Sequence, residues 1–321
     1  MIRIMTRLAV ILLCLVGTAA QAQTAADGRW SDITEVIVKA PRVTEVKVNA
    51  PCPAMWRLQR GDSVVWVMPT LTTVTFGMRW DERCLKRRLK GANALLVQSP
   101  MVRVAADLVE LKKGRLKDVV SPETYARYKA AARRAGEGNG GRYDRYRPGW
   151  AATFFLRDAY AKGNLVNQSY PPRMPDVARS VGTPVKEITL FTGGDEGRNT
   201  RNLLDAAGDE ACLNAVLDRL DHTYDQLPDM IEAWRTADIA TVLRLFPAEN
   251  DSCFPARADG KRIRQENQDR WATVLNAALN TPGKTVVAMP LSWFLYKGGA
   301  LDQMRRDPNL IITLPEGLEA E

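Results

Sequence analysis

Apolar positions along the chain fall into short unbroken runs separated by longer stretches in which they recur at helical spacing, and this alternation predicts the elements and their order. Val64–Met68 is a continuous apolar run, read as a buried strand. With Pro53–Arg57 it makes a pair of strands joined by Arg60-Gly61-Asp62, a hairpin signal. The strand leads into a Pro-Thr-rich turn, Pro69-Thr70-Leu71-Thr72, within the stretch Ser63–Trp80 (SVVWVMPTLTTVTFGMRW). Ala94–Val97, Val185–Phe191 and Lys284–Met289 read as further strands, the last ended by Pro290, and Leu310–Leu314 as a shorter one after Asp307-Pro308.

Helix signals fall between these runs. Asp81 can cap a helix to about Lys90 with Gly91 as its stop, and Ser121-Pro122-Glu123 opens another that Gly136 closes. Trp150–Ala161 is apolar enough for a core helix. Asp209–Gln226, Pro228–Arg235, Ile239–Phe246 and Ile263–Leu279 make the second half mostly helical. Strands alternating with helices in both halves predict an α/β (α+β) fold with a mixed central sheet covered by helices. At 321 residues and 45% hydrophobic content the chain can build one large core or two modest ones.

The N-terminal region changes the picture. Residues 1–22 have the form of a secretory signal: Arg3 and Arg7, the apolar run Leu8–Val16, then Ala20-Gln21-Ala22 as a small-x-small cleavage site. The run is short for a bilayer span, and no later stretch reaches the roughly 20 apolar residues a span needs. Export to the periplasm, with no transmembrane anchor after cleavage, is the expectation. Residues 23–52 form an extended segment carrying a repeat, Thr34-Glu35-Val36-Ile37-Val38-Lys39-Ala40-Pro41 and Thr44-Glu45-Val46-Lys47-Val48-Asn49-Ala50-Pro51, the pattern of short edge strands. Such edges lie on the domain or pair with a partner sheet.

Export also bears on the cysteines and the charge. Of five cysteines Cys14 leaves with the signal, so Cys52, Cys84, Cys212 and Cys253 remain for an oxidising compartment. Three pairings exist; Cys52–Cys84 and Cys212–Cys253 are favoured because each closes a loop within one half of the chain. The formal charge of +8 falls to about +6 without Arg3 and Arg7, which suits an envelope protein, a peptide or an anionic polysaccharide as partner.

Candidate chemistry is sparse. His222, the one histidine, shares a helix with Asp218, Asp221 and Asp225 and reads as part of a solvated acidic face. No Gly-x-Ser-x-Gly elbow accompanies it. Gly193-Gly194-Asp195-Glu196-Gly197 reads as a polar surface turn. Arg103, Lys112, Lys113, Arg115, Arg127, Lys129, Arg133 and Arg134 read as solvated helix faces, with an anionic polymer or lipid surface as the alternative. Phosphate loops, dinucleotide fingerprints and zinc-ribbon spacings are absent, so no cofactor and no nucleic acid is expected.

Three segments together resemble the TraB/GumN family, which includes the Tiki domain. Pro53-Ala54-Met55-Trp56-Arg57 with Gly61-Asp62-Ser63 and the strand to Trp80 is similar to the family's opening hairpin and Gly-x-x-His turn. Trp234-Arg235-Thr236-Ala237-Asp238 is close to its Trp-basic-x-Gly-Asp helix junction. Gly283-Lys284-Thr285-Val286-Val287-Ala288, continued from Met289 to Leu301, looks like its closing strand and second Gly-x-x-His turn. The resemblance spans residues 53–315 as one domain and implies a fold of the Tiki, EreA and ChaN type.

The resemblance implies two such turns and a strand glutamate converging on a metal-dependent hydrolytic site; Tiki members are described as metalloproteases. This sequence departs at each position. The first turn's glycine falls on Pro69, its threonine is kept as Thr70, and its histidine falls on Thr72. In the second turn the glycine falls on Pro290 and the histidine on Trp293, while the family glutamates fall on Gln98 and Thr189. A first-row metal takes imidazole, thiolate or carboxylate ligands, which hydroxyl, amide and indole groups do not replace. The expectation is therefore no metal, no catalytic residue, and a degenerate hydrolase site adapted to binding an envelope partner, with Trp293 either stacking on a ligand or plugging the vacated space. The alternative is an active metal-dependent hydrolase or peptidase drawing other ligands, Asp81, Glu82 or Asp302.

Overall fold

A computed structural model describes residues 53–99, 110–168, 170–171, 173–190, 206–246 and 260–315. The expected signal, the 34–51 repeat, Cys52, Arg103, the Gly193–Gly197 turn and Cys253 fall outside them. The described chain runs β1 (Trp56–Arg60), β2 (Ser63–Thr70), β3 (Thr73–Thr75), α1 (Glu82–Leu89) and β4 (Ala94–Gln98), then α2 (Pro122–Arg134), α3 (Pro148–Lys162), β5 (Leu165–Asn167), α4 (Met174–Ser180) and β6 (Val185–Ile188). It continues with α5 (Ala206–His222), α6 (Leu227–Arg235), α7 (Ile239–Leu245), α8 (Gly260–Leu279), β7 (Gly283–Pro290), α9 (Leu291–Leu295), α10 (Ala300–Met304) and β8 (Ile311–Thr313).

The strands form a mixed sheet in the order β6-β4-β7-β2-β1-β8, beside a two-stranded β3-β5 ribbon. β1 and β2 close a hairpin at Arg60↔Ser63, with Gly61 supplying the positive φ (54°) of the tight turn. β2, β7, β4 and β6 run parallel, so each needs a crossover, which the intervening helices provide. The register explains the sequence pattern. β1 alternates buried Trp56 and Leu58 with half-exposed Arg57 and Gln59, because one face meets solvent. The far half of β2, β4 from Ala94 to Val97 and β7 from Thr285 are covered on both faces and read as unbroken apolar runs.

Two cores result. The larger lies around the sheet and contains Trp56, Met68, Leu71, Trp234, Trp271 and Phe294, each essentially inaccessible. Side chains of this size contribute roughly 1.5–3 kcal/mol each on burial. The smaller lies among α2, α3 and α5, where Tyr128, Phe155, Leu213 and Leu217 meet; Tyr128 stands edge-on to Phe155 at 5.7 Å.

Helix signals in the sequence are realised as caps. Asp81 accepts from the Arg83 amide and Ser121 from the Thr124 amide. Four short elements were not anticipated: β3, β5, α4 and α10 are each seven residues or shorter. The reading of Pro69-Thr70 as turn is corrected, since both belong to β2 and pair with Met289 and Pro290 of β7. Proline cannot donate to a ladder, so the sequence pointed to an end two residues early. Likewise, residues 291–295 after β7 form the helical turn α9.

Candidate functional site

Ligands of open α/β sheets bind outside the carboxyl ends of the strands. Here four adjacent parallel strands end on one edge: β6 at Ile188, β4 at Gln98, β7 at Pro290 and β2 at Thr70. Thr70 pairs with Pro290, Gln98 pairs with Ile188, and Val97 pairs with Ala288, which puts these ends within a residue or two of one level. Thr189 follows β6 directly, and its hydroxyl accepts from Ser99 at 3.5 Å. Trp293 lies on α9, immediately beyond β7, half-buried against the main core.

The edge thus gathers Thr70, Gln98, Thr189 and Trp293. Thr72 is set apart: its side chain is exposed, and its carbonyl accepts from the Gln168 amide at 2.8 Å, tying it to the β3–β5 ribbon. Two polar atoms on the edge are orphaned. The Thr70 hydroxyl oxygen and the Gln98 amide oxygen are buried and have no hydrogen-bond partner among the described residues. Buried polar groups are mostly paired, and these two are acceptors for which the described residues supply no donor.

The supporting shell is rigid. The indole N–H of Trp234 donates to the Pro69 carbonyl at 2.7 Å, and Trp80 packs edge-on against Trp234 at 6.3 Å. This bond anchors the last turn of β2 to α6. Past α6 the chain reverses through Ala237, at φ 65°, into Asp238, whose carboxylate caps α7 by accepting from the Thr241 amide at 3.0 Å. Of the alternative ligands, Asp81 is held by Arg83 at 2.8 Å, Glu82 faces Arg173 at 3.4 Å, and Asp302 accepts from the Gly298 amide at 2.7 Å. The side-chain hydrogen bond from Arg83 holds the Asp81 carboxyl below its ordinary range, against the opposing effect of desolvation. Among the described residues no three His, Cys, Asp or Glu side chains gather into a metal-binding group.

Beside the end of β2, on the Trp80 side, a cleft of about 520 Å³ opens between the β3–α1 loop, α1 and Arg173. Gly77, Met78, Arg79, Trp80, Glu82, Arg83, Lys86 and Arg173 line it. Sequence reasoning missed it because Arg173 enters from a loop whose helix α4 was not recognised; Pro175 at that helix's first turn was the available signal. Three of the basic residues that did stand out are paired with acids. Arg127 pairs with Asp218 and Asp221, Arg134 with Asp221, and Lys129 with Asp144 at 3.8 Å. His222 is exposed at the end of α5 beside these acids, as a solvated face requires.

The profile of the TraB/PrgY/gumN family matches residues 54–308. The chain belongs to the TraB/PrgY/gumN family. The match runs from the β1–β2 hairpin to the turn before β8 and so takes in every strand end of the candidate site. The mixed sheet with its helical cover is the α+β architecture anticipated for a family member. No curated protein and no solved structure matches the chain. Cys84 and Cys212 are buried, and their expected partners Cys52 and Cys253 lie beyond the described residues.

Proposed function

We propose that this TraB/PrgY/gumN-family chain is exported to the periplasm and uses the carboxyl edge of its sheet as a binding site rather than a catalytic one. The observation that carries the reading is the pair of orphaned acceptors, Thr70 Oγ1 and Gln98 Oε1, at the ends of β2 and β4, the two strands that flank β7. A hydroxyl and an amide are neutral hydrogen-bonding groups that receive N–H or O–H donors and do not grip a first-row cation. With Trp293 alongside, the edge suits a peptide or oligosaccharide of the envelope, donors meeting Thr70 and Gln98 and an apolar face meeting the indole. Asp81, Glu82 and Asp302, the groups an active hydrolase would recruit, are each committed to a cap, an ion pair or a loop amide, which argues against that alternative. No described helix is long and apolar enough to cross a membrane. Signal cleavage and the pairs Cys52–Cys84 and Cys212–Cys253 belong to the same proposal.

The test is elemental analysis of the purified protein together with titration of peptides and acidic oligosaccharides, followed by fluorescence. The expected result is metal far below one equivalent and saturable binding that Gln98→Ala and Trp293→Ala weaken. One equivalent of zinc, manganese or cobalt that a chelator removes, with hydrolysis lost alongside it, would overturn the proposal in favour of the active hydrolase.

A further inference from the structure

The cleft beside the end of β2 carries more positive charge than the structure consumes. Four cations, Arg79, Arg83, Lys86 and Arg173, line it against one carboxylate, Glu82. Two of the four are positioned by acids: Asp81 accepts from Arg83 through both carboxylate oxygens, and Glu82 faces Arg173 at 3.4 Å. The other two, Arg79 and Lys86, are exposed and have no carboxylate partner among the described residues. This separates the cleft from the basic face of α2, whose Arg127 and Arg134 are matched by acids of α5.

The wall is apolar where the rim is charged. Trp80 is buried and Met78 half-buried, and both line the cleft. Phe76, immediately before the cleft's Gly77, is 70% exposed, the most exposed of the large apolar side chains among the described residues. A volume of about 520 Å³ in this open cleft leaves room for a small molecule. Arg173 is held at φ 65°, a backbone conformation that disfavours a non-glycine residue, and its guanidinium meets Glu82 at 3.4 Å.

We infer that this cleft is a binding site for a phosphate group carried on an apolar body: the phosphate lies among Arg79, Arg83, Lys86 and Arg173, and the body covers Met78 and Trp80 and reaches Phe76. Arginine forks and a lysine ammonium are the donors that recognise phosphate, and their charge-assisted hydrogen bonds are the strong ones. The same chemistry is presented by a phospholipid headgroup at a bilayer and by a soluble phosphorylated amphiphile. The inference uses none of Thr70, Gln98 or Trp293 and stands apart from the function proposed for the strand edge.

The experiment titrates the purified chain with inorganic phosphate, with phenyl phosphate, and with vesicles of phosphatidylglycerol or of phosphatidylcholine, at low and physiological salt. Phenyl phosphate is expected to bind more tightly than inorganic phosphate and to weaken as salt rises. The double variant Arg79→Glu/Lys86→Glu is expected to lose affinity by about tenfold or more, with a melting temperature lowered by no more than a few degrees, since both side chains are exposed and only Lys86 lies in the last turn of α1. Co-sedimentation with phosphatidylglycerol vesicles alone, lost in Phe76→Ser, identifies the bilayer as source; phenyl phosphate binding without co-sedimentation identifies a soluble ligand. The inference is overturned if wild type binds neither phenyl phosphate nor phosphatidylglycerol at low salt, if the charge-reversed variant binds both unchanged, or if inorganic phosphate binds as well as phenyl phosphate.

Discussion

Adjacent glycines at positions 298 and 299 follow the helical turn that carries Trp293, and the two are required for different reasons. A Cβ built at Gly299 would lie 2.6 Å from the Tyr296 carbonyl oxygen and 2.9 Å from those of Phe294 and Trp293. Ordinary contact begins at 3.4 Å, so these backbone oxygens would each have to retreat by about 0.5–0.8 Å. They belong to α9 and the residue after it, and the Gly299 amide itself donates to the Tyr296 carbonyl at 2.7 Å. Overpacking costs about 1–3 kcal/mol, and weakening that hydrogen bond adds roughly 0.5–1.5 kcal/mol. Gly299→Ala is therefore expected to destabilise the protein by about 2–4 kcal/mol, a fall in Tm of roughly 4–16 °C for a domain of this size. Gly298→Ala is the control. At Gly298 a Cβ meets nothing nearer than Gln268 Oε1 at 4.0 Å, and only φ 76° opposes substitution, at about 1–2 kcal/mol. Urea unfolding followed by circular dichroism measures both. Equal or smaller loss in Gly299→Ala than in Gly298→Ala would refute the close approach of 299 to the turn. The displaced carbonyls include that of Trp293, so ligand affinity at the strand edge should fall in Gly299→Ala and hold in Gly298→Ala.

Trp234→Phe keeps an aromatic ring but leaves the Pro69 carbonyl without its indole donor; a loss of about 1–3 kcal/mol is expected in the same urea assay, and a loss below half a kcal/mol would mean the bond does not anchor β2. Ala237→Gly should stabilise by about 0.5–1 kcal/mol, because the left-handed conformation at 65° penalises alanine more than glycine's extra chain entropy costs. The Glu210 carboxylate accepts from the Ser121 hydroxyl and amide, which hold its pKa below the ordinary 4.5. Its folded pKa being depressed, it contributes stability above pH about 4.5 that is lost as pH falls through the folded value, so the advantage of wild type over Glu210→Gln should shrink on acidification below that point. Peptide mapping under non-reducing conditions is expected to recover Cys52 with Cys84 and Cys212 with Cys253; recovery of any other pair would move the loops those cysteines close.

The hairpin, the helix caps and the unbroken apolar strands were legible in the chain because each is a local matter. Gly61 permits its turn, Asp81 and Ser121 satisfy their own helix amides, and an apolar run such as Leu95–Val97 has nowhere to lie but between two covered faces. Membership of the family was legible too, since three ordered segments of the chain resemble its motifs. The register was not. That Pro69 and Thr70 extend β2, that Thr70 faces Pro290 while Thr72 swings out to the ribbon, and that Arg173 closes a charged cleft with residues some ninety positions earlier depend on which strands and loops are neighbours in space. Composition and spacing act over a few residues. Parallel pairing joins segments separated by long crossovers, and only the packed sheet decides which side chains meet at its edge.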